Sequence, residues 1–300
     1  SCQIVGGYYG LCLNGTGLTL GSTTPSNNTV RNSIVSNFYL YGIYSYGQNN
    51  LSIEYNDINR LTRSAVSTCY GLYNYGRNPG LKILANRIHD LGGSLGTTAF
   101  TGYLLYLSST SGTAASPVLV ANNAIYNINN LGSTLYGMYM LTTDTIDVLH
   151  NTLDINSNSG TGTATVYGAY ISGNMTQFNF KNNIIQIASS GTGNKFALYN
   201  SSTTALINSN RNGIRFTSTA GGASNFVAAR SATITYPTLA SWTAATARDS
   251  NSISSDPIFT NALAGDFTPI SFAYNNSGEN QLALVPLDIN RTARSTTPDI

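Results

Sequence analysis

One four-residue phrase returns about every 30 residues, and it restricts the chain to an architecture built by stacking. The copies are Tyr9-Gly-Leu-Cys12, Tyr41-Gly-Ile-Tyr44, Tyr70-Gly-Leu-Tyr73, Tyr103-Leu-Leu-Tyr106, Tyr136-Gly-Met-Tyr139, Tyr167-Gly-Ala-Tyr170 and Phe196-Ala-Leu-Tyr199. Counted from the last residue of each copy, the steps are 32, 29, 33, 33, 31 and 29 (44−12, 73−44, 106−73, 139−106, 170−139, 199−170). A near-constant period with variable inserts belongs to a solenoid, in which each repeat is one coil and the inserts are loops.

A second phrase alternates with the first: an apolar residue, two variable residues, Asn, one residue, then an aliphatic. It is clear at Ile53…Asn56-x-Ile58, Ile83…Asn86-x-Ile88, Val120…Asn123-x-Ile125, Val148…Asn151-x-Leu153 and Phe180…Asn183-x-Ile185, with degenerate copies centred on Asn32 and Asn212. Around both phrases, apolar and polar residues alternate over four to six positions, the period of a strand. The connectors, such as Ser108-Ser-Thr-Ser-Gly112, are turn formers. A coil of two or three short strands without a helix cannot bury its own apolar face. Parallel stacking at about 4.8 Å per coil buries it, and about seven coils make a rod roughly 35 Å long.

The recurring Asn residues, Asn32, Asn56, Asn86, Asn123, Asn151, Asn183 and Asn212, fit a structural ladder. Asn tolerates a left-handed backbone, and its side-chain amide can bond the same position one coil away. The expected fold is therefore all-β: coils over residues 1–217, and an irregular C-terminal cap over 218–300 that continues the solenoid. Tyr236 to Arg248 is expected to hold one short helix, and Trp242, the chain's one Trp, to pack over the last coil.

The period, the Asn phrase and the short parallel strands resemble right-handed parallel β-helix proteins of the pectate-lyase-like superfamily. The segment Trp242-Thr-Ala-Ala-Thr-Ala-Arg-Asp-Ser-Asn-Ser-Ile-Ser-Ser-Asp-Pro-Ile-Phe259 resembles the stretch that follows the coils in many secreted bacterial β-helix proteins. Leu287-Asp-Ile-Asn-Arg-Thr-Ala-Arg-Ser-Thr-Thr-Pro-Asp-Ile300 resembles their closing phrase, with Asn290 where Gly is usual. The resemblance implies a right-handed parallel β-helix, secretion and display on a Bacteroidota-type cell surface. Enzymes of this resemblance act on acidic polysaccharide, but fold does not dictate function.

Charged residues make up 9% of the chain and the net charge is +2. Such a composition, rich in Tyr, Asn, Ser, Thr and Gly, suits an exported protein, here a mature or excised piece of a longer one. The basic residues are scattered, so no nucleic acid is expected as partner. No apolar run is long enough to span a membrane. Cys2, Cys12 and Cys69 have no metal-type spacing, and neither metal nor cofactor is expected. Cys2 and Cys12 are placed to bridge at the first coil, or Cys12 is simply a small residue where later coils carry Tyr.

Catalysis by a lyase or hydrolase of this fold requires carboxylates converging on one face. Registered to the local Asn, the acids of the coils share no position. Asp57 is expected beside Arg87, Asp90 beside Arg60, and His89 at the surface without an acidic neighbour. Only Asp144, Asp147, His150 and Asp154 cluster in sequence; they are weak catalytic candidates, and a solvated turn is the plainer reading.

In the Tyr phrase the third position is always apolar, so it is read as core. By alternation the second and fourth positions then face outward. Stacking would align Tyr44, Tyr73, Tyr106, Tyr139, Tyr170 and Tyr199 into a stripe beside a strip of Gly. Such a stripe either binds sugar rings or a protein surface, or only stabilises the sheet. The leading expectation is a secreted, cell-surface, non-catalytic structural or adhesin-like module, with a polysaccharide or another surface protein as partner or with self-association into filaments. The alternative is a polysaccharide lyase or glycoside hydrolase acting on acidic polysaccharide.

Overall fold

The computed structural model describes residues 2–300 except 16–23, 64–66, 93–98, 129–131, 157–162, 174, 190, 203–206, 218–224 and 232. The chain winds as an all-β parallel solenoid with three strands to a coil. Equivalent strands stack into three sheets. The first sheet has eight strands, from Gln3–Val5 to Gly213–Phe216. The second has nine, from Tyr9–Asn14 through the parallel Asn225–Arg230 to the antiparallel Ile234–Tyr236. The third has seven, from Thr29–Arg31 to Ile207–Asn210. The boundary drawn between 217 and 218 falls at the edge of the described residues, and parallel stacking is present beyond it at Asn225–Arg230.

The interior is one apolar column. Val35, Ile58, Ile88, Ile125, Leu153 and Ile185 come from the first sheet, Ile43, Leu72, Leu105 and Met138 from the second, and Ile53, Ile83, Val120 and Val148 from the third, all fully buried. Each coil is half-satisfied by its neighbours, so burial requires the whole stack.

The Asn ladder lies at the corner between the third and first sheets. Asn56, Asn86, Asn123, Asn151 and Asn183 each donate from Nδ2 to Oδ1 of the next ladder Asn at 2.9–3.2 Å. Their backbone N–H groups donate to the same Oδ1 atoms at 2.9–3.0 Å. Each amide thus closes a corner whose backbone groups would otherwise be buried unpaired. Two expectations are corrected here. The left-handed residue is the one before each ladder position: Asn32, Tyr55, Ala85, Asn122, His150, Asn182 and Arg211 have φ between 51° and 58°. Asn32 accordingly stands one residue before the ladder, and Ser33 takes that place, its N–H donating to Asn56 Oδ1 at 3.1 Å.

The ladder ends at the helix that closes the last coil, Leu239–Thr246. Asn212 N–H donates to Ser252 Oγ at 2.8 Å, and Asn212 Nδ2 to Asp249 Oδ1 at 3.0 Å. Trp242, 2% exposed and part of the central core, donates from Nε1 to Asp249 Oδ2 at 2.8 Å. Asp249 therefore joins the helix to the ladder's terminus.

Beyond Ser252 the chain turns back and runs along the outside of the coils. Its route follows the left-handed column. Arg211 donates to Ser277 O at 2.7 Å, Asn182 pairs with the backbone of Glu279, and Asn122 donates to Leu287 O at 2.7 Å. At the tip, Arg291 donates to Asn32 Oδ1 at 2.6 Å and lies 4.2 Å over the Tyr55 ring. The chain then returns, with Arg294 on Asn122 Oδ1 and Gly278 N–H on Pro298 O. This strap covers the outer side of the first sheet from Arg87 onward, leaving Val5 and Ile34 exposed, and the adjoining corner, where Val285 packs on Leu119, Ala121 and Leu149.

Candidate binding face

The second sheet carries the tyrosines, and its local backbone decides which way they point. The register passes from Tyr41↔Tyr70 to Ile43↔Leu72, leaving Gly42 and Gly71 out of the ladder, and the same skip occurs in each coil. The second and third positions consequently both face inward. Gly42 and Gly71 are buried, not exposed as strict alternation predicts. A Cβ on Gly42 would lie 2.7 Å from Ile58 Cγ2, and one on Gly71 2.7 Å from Ile88 Cγ2, each also pressed against a carbonyl oxygen of the next coil. Two inward residues in succession, as at a bulge, bring the first and fourth positions to the same outer face.

The result is two aromatic columns rather than one. In the first, Tyr9, Tyr41, Tyr70, Tyr103, Tyr136 and Tyr167 stack at centroid separations of 4.8–4.9 Å with interplanar angles of 5–22°. Phe196 and Phe226 extend it. In the second, Tyr44, Tyr73, Tyr106, Tyr139, Tyr170 and Tyr199 follow one another at 4.5–5.4 Å. Within a coil the two columns are 4.9–5.3 Å apart. Tyr73 and Tyr106 lie nearly parallel to the first column, at 18° and 23°. Tyr44, Tyr139 and Tyr170 are turned across it by 57°, 60° and 88°. Tyr44 through Tyr170 are half-buried, whereas Tyr199 is only 8% exposed among Phe196, Tyr167, Tyr170 and Ala229. Cys12 occupies the second column's place in its coil, paired with Tyr44.

Burial and mutual crowding push the phenols up, to about 12 for Tyr44, Tyr73, Tyr106, Tyr139 and Tyr167. The columns are therefore uncharged hydroxyls on apolar rings at neutral pH. The strands that carry them contain no Asp or Glu. Lys195, 1% exposed, spends its ammonium on the Gly191 and Gly193 carbonyls.

The sequence cluster Asp144, Asp147, His150 and Asp154 does not converge. Asp144 caps a turn, accepting from the N–H groups of Thr145, Thr176 and Gln177 and from the Thr176 hydroxyl; burial opposes ionisation slightly, and these bonds hold its pKa low. Asp147, on the third sheet, accepts from Asn179 at 2.6 Å. His150 sits at the left-handed corner, where burial and then Arg294 push its pKa down to about 3. Asp154 lies on the first sheet beside Gln186, its pKa raised by burial.

His89 is the acid–base group that sequence reasoning misplaced. It is buried, with Nε2 3.1 Å from Asp57 and Nδ1 2.6 Å from Asp90, and its ring stacks on Tyr126 at 4.8 Å. Burial would lower its pKa; the hydrogen bonds and charges of Asp57 and Asp90 outweigh that and raise it to about 9. The signal was available: Asp57 and Asn59 stand one coil below Arg87 and His89, and a neighbouring pair two residues apart can reach diagonally. Arg60 does not meet Asp90; it is fully buried and donates to the Phe38 and Leu91 carbonyls. Cys2, Cys12 and Cys69 are free, and Cys69 is buried with its thiol pushed up to about 12. Among the described residues no group of His, Cys, Asp and Glu is arranged to hold a metal ion, and no helix is long and apolar enough to cross a membrane.

Parallel coils, three sheets and an internal Asn ladder define a β-solenoid. The family model described as "Right handed beta helix region" matches residues 1–153 of the 300, and the chain belongs to that family. No curated protein and no solved structure matches it.

Proposed function

We propose that this chain is an exported, non-catalytic module of a cell-surface or fibre protein, whose rigid coil stack presents the paired tyrosine columns to a carbohydrate. The observation that carries this reading is the columns themselves. The strap covers the first sheet from Arg87 onward and its corner, while the second sheet keeps an aromatic, hydroxyl-bearing face half open to solvent. Rigid Tyr side chains lose little entropy on binding and offer both apolar contact and a hydrogen-bonding hydroxyl. Catalysis on acidic polysaccharide is the competing reading. It needs two carboxyls about 5–10 Å apart with a sugar or water between them. Asp57 and Asp90 come that near, but the His89 imidazole stands between them and bonds both. Asp144, Asp147 and Asp154 are spread over a turn and separate sheets.

A glycan array probed with the chain and with a folded Tyr106→Ala/Tyr139→Ala variant tests the proposal. Binding lost in the variant supports it. Equal binding by both forms, or binding by neither, overturns it. Turnover of a uronic-acid polymer, with or without calcium, would establish the catalytic reading instead.

A further inference from the structure

We propose that the ligand of this face is an uncharged, linear polysaccharide lying along the coil axis, across the strands; this rests on the carbohydrate-binding reading of the same face.

The direction follows from the repeat. Along the axis, the same pair of Tyr rings recurs in five successive coils, from Tyr41/Tyr44 to Tyr167/Tyr170, 4.8–4.9 Å apart in the first column. Along a strand, the aromatic surface is short. The strand Tyr41–Tyr46 offers Tyr41, Tyr44 and Tyr46, and the equivalents of Tyr46 beyond Tyr75 are Ser108, Leu141 and Ser172. A polymer crossing the strands therefore meets one equivalent Tyr pair per coil from Tyr41/Tyr44 to Tyr167/Tyr170. One running with them leaves the aromatic strip after a single coil.

The charge class follows from what the strip contains. Its strands hold no carboxylate; their two cations are the buried, carbonyl-bound Lys195 and Arg230 of the last coil. Burial pushes Tyr44, Tyr73, Tyr106 and Tyr139 up to about 12, so these phenols stay protonated and act as neutral donors and acceptors. Neutral sugar hydroxyls can exchange water for such partners. A uronate pressed against the same strip would lose hydration without gaining a counter-charge, which is costly.

The two columns divide the work. Rings of the first column cover one another's faces, so they turn edges and hydroxyls outward. Tyr44, Tyr139 and Tyr170, rotated across that stack, break its regularity and widen the apolar contact.

Calorimetric titration of the intact chain provides the test. The probes are β-1,4-linked glucose oligomers, mannose oligomers and matched oligogalacturonates, each from about two to eight units, at low and high salt. The second protein is a Tyr139→Ala/Tyr170→Ala variant whose circular dichroism matches the parent. The expected result is binding of a neutral series that strengthens at least about tenfold from dimer to hexamer, is insensitive to salt, and is lost in the variant. Tighter, salt-sensitive binding of the oligogalacturonates, abolished in the variant, would overturn the neutral class while leaving the face a carbohydrate site. Affinity independent of length would overturn the axial placement. No binding of any series would overturn both readings, as would Tyr-dependent dimerisation that covers the columns with a second copy.

Discussion

Asn182 and Glu279 hold each other through two bonds of the kind that joins neighbouring strands. Asn182 Nδ2 donates to Glu279 O at 2.8 Å, and Glu279 N–H donates to Asn182 Oδ1 at 2.8 Å. The same Nδ2 lies 3.0 Å from His150 Nε2, so one amide couples strap, corner and the buried imidazole. Replacing it by Ala orphans a backbone N–H and a carbonyl. Asn182→Ala should cost about 2 kcal/mol and expose the strap to proteolysis near residue 279 before the coils are cut. Urea unfolding together with a timed digest measures both effects. An unchanged cleavage pattern would show that the other strap contacts, among them Arg211 on Ser277 O, Asn122 on Leu287 O and Val285 on Leu119, hold the strap without Asn182.

His89 and His150 should set opposite limbs of the stability–pH curve. The His89 pKa is raised from 6.5 to about 9. Its contribution is full below the unfolded value of 6.5 and is lost as pH rises through about 9, on the order of 3 kcal/mol at most. The His150 pKa is lowered from 6.5 to about 3. Below 6.5 the unfolded chain takes up a proton that the folded chain refuses, so stability falls as pH drops toward about 3. Stability should therefore peak near neutral pH. His89→Gln should flatten the alkaline limb and His150→Gln the acidic one, as read from denaturation midpoints at each pH.

Ladder position, rather than residue type, should decide the cost of losing an Asn. Asn123 accepts from the Asn86 N–H and side chain and donates to Ile83 O and to Asn151. Asn123→Leu leaves several of these groups buried and unpaired, and should cost about 3 kcal/mol or more. Asn32→Ala gives up its exposed bond to Arg291 and the ease with which Asn holds a φ of 51°, and should cost only about 1 kcal/mol. Equal losses in chemical denaturation would contradict the one-residue offset of Asn32 from the ladder.

The inward turn of the second phrase position is testable at Gly71. A Cβ there meets the Leu104 carbonyl and Ile88 Cγ2. Gly71→Ala should destabilise by about 2–3 kcal/mol through forced backbone movement. A neutral substitution would restore the outward reading that simple alternation gives.

The chain's spacing carried the solenoid because coil stacking repeats one local environment. Ile53, Ile83, Val120 and Val148 share a fate, and so do the ladder amides from Asn56 to Asn212. Their identities therefore recur at the period and can be seen without coordinates. The six second-column tyrosines were visible for the same reason. The first column was in plain sight as the opening residue of every phrase, yet strict alternation assigned it inward. The skipped Gly reverses that assignment, and a period of two cannot reveal a single-residue irregularity.

The sequence by itself determined the coil, its core and the ladder, since each depends on contacts between equivalent residues one period apart. Only the tertiary structure decided where residues 253–300 lie, that Arg291 reaches Asn32 and that Asp57 and Asp90 enclose His89. Those partners are non-equivalent, and the strap contacts join residues as far as 259 positions apart. Such pairings leave no periodic trace, because what selects them is the packing of one irregular chain against a surface already built by the repeat.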